Sequence, residues 1–326
     1  MRTSRYRVGF VGAGGVATRH AAVLSEFPDV SIVGVVDPNP DAARTLAEQA
    51  GATVEQSVDD LLAREVDAVY VCVPPFAHGP AEAAVLAAGV PLFVEKPLGL
   101  DVELPAELAA QVVAADVVTG VGFHWRYSAA LERAREALAG RPVSLVAGTW
   151  LDKVPPVGWW PRRDGSGGQL IEQAVHVVDL ARVLVGEVVE VYAAADASPP
   201  NAPGADVDSS AAATLRFASG AVGTLSTTCR LGWKHRAALE LYADGVAVAV
   251  SEDGCEVRTA DGTEWFPVDP MDAKRAVDRA FLDAVGGDRS GVLVDYVDAL
   301  RSHQLACALA TSVAERRPVE LVHADV

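Results

Sequence analysis

Lysine is almost missing from this chain, with only Lys96, Lys153, Lys234 and Lys274 in 326 residues. Basic residues as a whole are short: 27 Lys and Arg stand against 44 Asp and Glu, for a formal net charge of −17 and an isoelectric point near 4.8. Nucleic acid and anionic membrane surfaces both need a basic footprint, so neither is an expected partner. The four cysteines (Cys72, Cys229, Cys255, Cys307) are scattered and form no Cys-x-x-Cys pair. That argues against a disulfide or zinc framework and fits reduced, buried thiols in the cytoplasm. No stretch approaches the ~18–20 uninterrupted apolar residues of a membrane span. The opening MRTSRYRVGFVGAGG lacks the apolar core and cleavage site of a signal peptide. Charge is sparse at 22%, while half the residues are hydrophobic. A disordered chain is thereby excluded, and the length suffices for two domains and a sizeable core.

What is present is alternation. Apolar, β-branched runs at 7–12, 30–36, 68–73, 91–94 and 117–122 are separated by helix-like segments near 13–27, 41–50, 77–88 and 105–115. Ser57-x-x-Asp60 reads as a helix N-cap. Strands apolar throughout, alternating with helices, predict a doubly wound parallel sheet covered on both faces, a Rossmann domain over residues 1–122. Residues 123–326 change character: helices near 128–139 and 169–185, a strand at 143–151, then strand-like runs at 188–196, 210–217, 221–229, 236–243, 246–250 and 255–259. Ser219-Gly220, Asp244-Gly245, Asp253-Gly254 and Asp261-Gly262 supply hairpin turns. This half is expected to be an α+β domain with a largely antiparallel open sheet that binds substrate and mediates oligomerisation. A closing helix near 293–316 could pack back on the Rossmann domain.

The first strand runs into Gly12-Ala13-Gly14-Gly15-Val16-Ala17, a G-x-G-x-x-A fingerprint. Its glycines allow a tight turn and close approach of a pyrophosphate, and the helix that follows offers free N–H groups and its dipole. Asp37, at the end of the second strand and followed by Pro38, lies ~20 residues beyond the fingerprint, where an acid binds the adenosine ribose. A carboxylate there favours NAD over NADP. Ligands of open α/β sheets bind at the carboxyl ends of strands, which brings Val73, Pro74, Pro75 and His78 to the cofactor side. On the same edge, PLFVEKPLGL ends the fifth strand in Glu95-Lys96-Pro97.

The order of fingerprint, Val73-Pro74-Pro75…His78 and Glu95-Lys96-Pro97 resembles the Gfo/Idh/MocA family of oxidoreductases, glucose–fructose oxidoreductase and inositol dehydrogenase among them. The resemblance covers nearly the whole chain. It includes Gly167-Gly168-Gln169-Leu170-Ile171-Glu172-Gln173-Ala174-Val175-His176-Val177-Val178-Asp179-Leu180 and the closing Ser312 to Leu321. The resemblance implies that Lys96 lies near the nicotinamide and holds the substrate oxygen, and that His176 is the general acid/base. Glu172 stands where the family usually has Asp, and Ala174 where it usually has Gly. These departures keep an acid but lengthen its arm. The residues agree on their own terms. Glu172 and His176 are spaced i, i+4 on one helix face, an imidazole can take an alcohol proton near neutral pH, and Lys96 can stabilise a developing alkoxide. Asp179 reads as structural, and no metal site is expected because no further ligands are evident.

Trp125, Trp150, Trp159 and Trp160 cluster in sequence before the His176 helix. Trp159 and Trp160 either stack on a sugar ring or pack a seam. Arg126-Tyr127 matches a family position that faces substrate, and Arg162 and Arg163 are further candidates for binding hydroxyls or anions. The expected activity is NAD-dependent hydride transfer to or from a sugar, cyclitol or polyol, in a homodimer or homotetramer. The alternatives are a dinucleotide-binding regulatory protein on the same fold, and a lyase or glycosidase that uses transient oxidation.

Overall fold

The computed structural model describes residues 6–321. In chain order, the first 124 residues carry β1 (Tyr6–Val11), α1 (Gly15–Ser25), β2 (Val30–Val36), α2 (Pro40–Ala50), β3 (Thr53–Val54), α3 (Val58–Leu62), β4 (Ala68–Val71), α4 (Pro80–Ala87), β5 (Leu92–Val94), α5 (Glu103–Ala115) and β6 (Thr119–Val121). Then come α6 (Ala129–Leu138), β7 (Val143–Leu151), the short turns α7 (Arg163–Ser166) and α8 (Gln169–Glu172), and α9 (Val175–Val185). Seven strands follow: β8 (Val188–Ala195), β9 (Ser210–Phe217), β10 (Val222–Thr228), β11 (Arg236–Ala243), β12 (Val246–Ser251), β13 (Gly254–Thr259) and β14 (Gly262–Pro267). The last elements are α10 (Pro270–Val285), α11 (Tyr296–Glu315) and β15 (Val319–Glu320).

The chain divides into two compact units, Met1–His124 with Ala273–Leu300, and Trp125–Asp272 with Arg301–Val326. In the first, six parallel strands run in the order β3-β2-β1-β4-β5-β6, the doubly wound order whose reversal lies between β1 and β4. The local signals act as read. Ser57 caps α3 by accepting from the Asp60 N–H, and Asn39 caps α2, which has Pro40 in its first turn and left-handed Gly51 at its end. The core is an aromatic pile: Phe10 stacks on Tyr70, Tyr70 on Phe93, and Phe281 meets both Tyr70 and Phe93 edge-on, with ring centroids 4.7–5.5 Å apart.

Phe281 explains a departure from the expected boundary. The sequence reading ends the first domain at residue 122 and has no helix over Pro270–Val285. Here Ala273–Leu300 joins the first unit. Burying a side chain like Phe281 contributes roughly 1.5–3 kcal/mol, and Ala273, Val277, Phe281 and Ala284 form a buried stripe along α10.

The second unit holds a nine-stranded sheet in the order β14-β13-β12-β11-β7-β10-β9-β8-β15. It is antiparallel except where β10 runs parallel to β7. Burial alternates along β10, with Gly223, Leu225 and Thr227 turned inward and Val222, Thr224 and Ser226 exposed, as in a sheet covered on one face. The helices α6 and α9 pack on the inner face.

Candidate active site

The turn after β1 is shaped for an anion. Gly12 has φ +94°, and a Cβ there would overlap the Cys72 carbonyl, so only glycine lets β1 and the end of β4 approach so closely. Ideal Cβ positions on Gly14 and Gly15 meet no protein atom within 4 Å, so the space over the turn is open. Gly14 caps α1 without any side-chain hydrogen bond, and no acid occupies the first turn. Unlike α2 and α3, this helix leaves its leading N–H groups to a ligand. Val16 is exposed and Ala17 fully buried. Asp37 closes the turn: one carboxylate oxygen accepts from Ala13 N–H and the other from Asn39 N–H, both at 2.7 Å. A carboxylate so pinned keeps lone pairs for a ribose diol. Pro38, beside it, is exposed. The residues therefore fit a nicotinamide dinucleotide.

Beyond β4, Val73, Pro74 and Pro75 turn into a short helical turn, Pro75–Ala77. His78 is only 4% exposed, and its Nδ1 pairs with Glu82 at 2.5 Å. The ring thus packs inside the unit and ties down the start of α4, instead of presenting itself to a cofactor as expected. Glu82 also accepts from Gly79 N–H at 2.7 Å.

At the end of β5, Glu95 is buried, Lys96 half-buried and Pro97 buried, and the Lys96–Pro97 peptide is cis. Glu95 faces inward, away from any role as a free base. Its Oε1 lies 2.9 Å from His20 Nε2 and 3.2 Å from Arg19 Nη2, and its Oε2 accepts from Lys96 N–H at 3.1 Å. The opposite nitrogen of His20, Nδ1, sits 2.7 and 2.9 Å from the two oxygens of Asp278. Gly122 packs flat against the Glu95 carboxylate, with no room for a Cβ. Burial disfavours charge throughout this cluster, but the neighbours win at two members. The two carboxylates push the His20 pKa up to about 9, and hydrogen bonding to His20 together with the Arg19 charge holds Glu95 down at about 2. At Asp278 burial prevails and raises the carboxyl.

In the second unit, the expected helix 169–185 is two pieces separated by a turn at Gln173–Ala174. Glu172 ends α8 and His176 opens α9, so the i, i+4 face predicted for an unbroken helix is interrupted. The Glu172 carboxylate accepts from the Trp160 indole N–H at 2.6 Å. Trp160 is fully buried in a cluster with Val207 and Cys229, against which Trp159 packs half-buried. Trp160 therefore serves the core and orients Glu172, and it has no face to offer a sugar. His176 lies instead beside two other tryptophans. Its ring is 5.8 Å from both Trp125 and Trp150, which are 6.0 Å apart, with all planes within 18–21° of parallel. The Trp150 indole N–H is buried without a hydrogen-bond partner among the described residues.

Arg126, expected to bind substrate, is 6% exposed and grips Asp179 through two hydrogen bonds of 2.9 and 2.6 Å. Asp179 also accepts from Ser302, which in turn accepts from Arg182. These bonds hold Asp179 in a structural role and engage Nε and Nη2 of the Arg126 guanidinium. Tyr127 is half-buried. Arg162 pairs with Asp164, and Arg163 with Asp208, on the exposed surface.

His20, Asp278 and Gly122 escaped the sequence reading. His20 and Asp278 are 258 residues apart, and no spacing connects them. The one available signal was a histidine on the inward face of the helix that opens the fingerprint. Trp150 was noted there without a role.

Comparison with known proteins covers both units. Residues 6–123 match an oxidoreductase family with an NAD-binding Rossmann fold, and residues 127–247 match the GFO/IDH/MocA C-terminal domain. The inositol 2-dehydrogenase of Rhizobium meliloti (strain 1021) is 30% identical over 332 residues, spanning 97% of this chain and 99% of that protein. A crystal structure of GenD2 from gentamicin A biosynthesis, in complex with NAD, is similar at a TM-score of 0.87 and 26% identity, covering 99% of this chain and 98% of that one. A putative myo-inositol dehydrogenase from Sinorhizobium meliloti 1021 gives a TM-score of 0.81 at 28% identity, over 97% and 100% of the respective chains.

Proposed function

Because the chain belongs to the Gfo/Idh/MocA family of oxidoreductases, we propose that it interconverts a secondary alcohol and a ketone of a sugar, cyclitol or related polyol, with NAD as its cofactor. The observation that carries the reading lies within the first unit. An uncapped glycine turn and a pinned Asp37 support a dinucleotide site on the sheet edge where Lys96 follows β5. Gly12, Ala13, Gly14 and Gly15 would cradle the pyrophosphate, and Asp37 the ribose. The carboxylate of Asp37 would repel a 2′-phosphate, which supports NAD over NADP. The cofactor supplies the hydride acceptor or donor when bound.

Lys96 holds the substrate oxygen and stabilises negative charge on it during oxidation. His176 takes the hydroxyl proton, and returns it in the reverse direction. The near-parallel rings of Trp125 and Trp150 support a fixed plane for the His176 imidazole. The inositol 2-dehydrogenases among the relatives support a cyclitol in particular. The Trp160 indole N–H orients the Glu172 carboxylate.

A homo-oligomer is supported by the outer face of the second sheet, where Leu145, Tyr192 and Val222 are exposed among Thr214 and Thr224. Neither a nucleic-acid nor a membrane partner is proposed, given the net charge of −17. Among the described residues no helix is long and apolar enough to cross a membrane.

The first test is titration with NADH and then NADPH, followed by energy transfer from tryptophan. Saturable binding with NADH preferred is expected, and a screen of cyclitols and sugars with NAD+ should then yield NADH. No binding of either cofactor defeats the proposal. Lys96→Ala should cut turnover far more than NADH affinity.

A further inference from the structure

The cluster around His20 does more than fill the core. Both ring nitrogens of His20 face carboxylates, Nε2 toward Glu95 and Nδ1 toward Asp278. With both carboxylates ionised each only accepts, so both nitrogens donate, and only an imidazolium has two N–H groups. A neutral ring would turn a lone pair toward one buried carboxylate. The ring is 1% exposed and held by Phe93 and Tyr70, with centroids at 5.1 and 5.5 Å. Arg19 approaches Nε2 at 3.4 Å and shares the same oxygen of Glu95. With His20 charged, two cations meet two carboxylates and the cluster is neutral. Tyr70 and Cys72 also face it, both kept neutral by burial. Lys96 adds positive charge near Glu95.

The position of the cluster gives it a consequence. His20 lies on α1, the helix whose first residues form the glycine turn. Through Glu95 Oε2 the cluster also grips the main-chain N–H of Lys96, and through Gly122 it abuts the chain just past β6. We propose that His20 is a positioning residue for the reaction: as an imidazolium clamped between Glu95 and Asp278, it locks Glu95 onto the Lys96 main chain and so fixes that lysine relative to the helix that cradles the cofactor. The raised His20 pKa agrees with that charge state. The inference rests on the reading that Lys96 acts on the substrate oxygen.

The test uses the full chain. In protein labelled with 15N-histidine, long-range 1H–15N spectra at pH 7.5 are expected to show His20, assigned by comparison with His20→Gln, protonated at both nitrogens. A neutral ring at that pH overturns the proposal, and this needs no variant beyond the assignment. Reductive 13C-methylation then reports on the four lysines. The Lys96 resonance, assigned with Lys96→Arg, should move in His20→Gln and Asp278→Asn while those of Lys153 and Lys234 stay in place; an unmoved Lys96 resonance in a folded variant also overturns it. With NAD+ and myo-inositol as probe, His20→Gln should lose roughly 10²-fold in kcat, the scale of a small misplacement of a reacting group. NADH affinity should change little, and a fall in wild-type kcat near pH 9, as His20 loses its proton, should be absent from the variant. A folded His20→Gln with wild-type kcat and pH profile refutes the inference. Lys96→Ala, assayed alongside, separates the two ideas: full turnover there sinks the role of Lys96, whereas a neutral His20 with an inactive Lys96→Ala sinks only the clamp.

Discussion

Raising the pH from 6.5 to 9 should destabilise the first unit through His20 alone. In the unfolded chain the ring loses its proton near 6.5, whereas in the folded chain it keeps it up to about 9. Between those values the folded state binds more protons than the unfolded one, so stability falls as pH rises. The contribution is fully present below pH 6.5 and gone above 9. A difference of this size corresponds to about 3 kcal/mol for a fully buried group. Spread over a unit of roughly 150 residues, it lowers the melting temperature by about 10 °C. Other groups titrate in this range, so the assay is a difference: melts of wild type and His20→Gln at half-unit steps of pH, followed by far-UV circular dichroism. The wild-type curve should fall by that amount relative to the variant, and most of the fall should lie between pH 7 and 9. Parallel curves would refute the reasoning, because a ring already neutral at pH 7 has no proton left to lose. The same contacts set an acid limb. Glu95, held at about 2, contributes stability that is present above its usual range near 4.5 and lost as the pH falls toward 2. The two limbs describe one pair and do not add.

Arg126→Ala leaves Asp179 charged, buried and short of its main partner, and should cost about 3–5 kcal/mol in a thermal or urea melt; a loss below ~1 kcal/mol would mean the pair is not formed. Trp160→Phe removes the indole N–H from Glu172 while keeping most of the apolar ring, for an expected loss of about 1.5–3 kcal/mol and a change in kcat smaller than that of His176→Ala. Gly12→Ala drives a methyl into the Cys72 carbonyl at a positive φ, so NADH binding by tryptophan energy transfer should be lost even where circular dichroism shows the chain folded. Asp37→Ala should weaken NADH binding and narrow the gap to NADPH, measured by the same titration; an unchanged preference would remove Asp37 from the ribose site.

Much of this molecule is written locally. The strands at 30–36, 143–151, 210–217 and 236–243 stand where their apolar patterns put them, because side-chain alternation and turn residues act over a few positions. The Gly12–Ala17 turn, Asp37 and the Glu95-Lys96-Pro97 strand end were legible for the same reason: backbone geometry and the chemistry of a strand terminus are short-range matters. Tertiary structure decided what those side chains spend their charge on. Arg126, read in sequence as a substrate ligand, pairs with Asp179 fifty-three positions away. Trp160 reads in sequence as either a sugar platform or a packing residue, and its ring is sealed in the core. The helix Pro270–Val285 joins the first unit because Phe281 completes an aromatic pile begun by Phe10, Tyr70 and Phe93. Most of all, the side-chain partners of Glu95 come from α1, and Asp278 on α10 holds one of them, so whether Glu95 is an exposed acid or one end of a buried clamp could not be read from its neighbours in the chain. Desolvation and pairing depend on distance in space, and only the fold sets that distance.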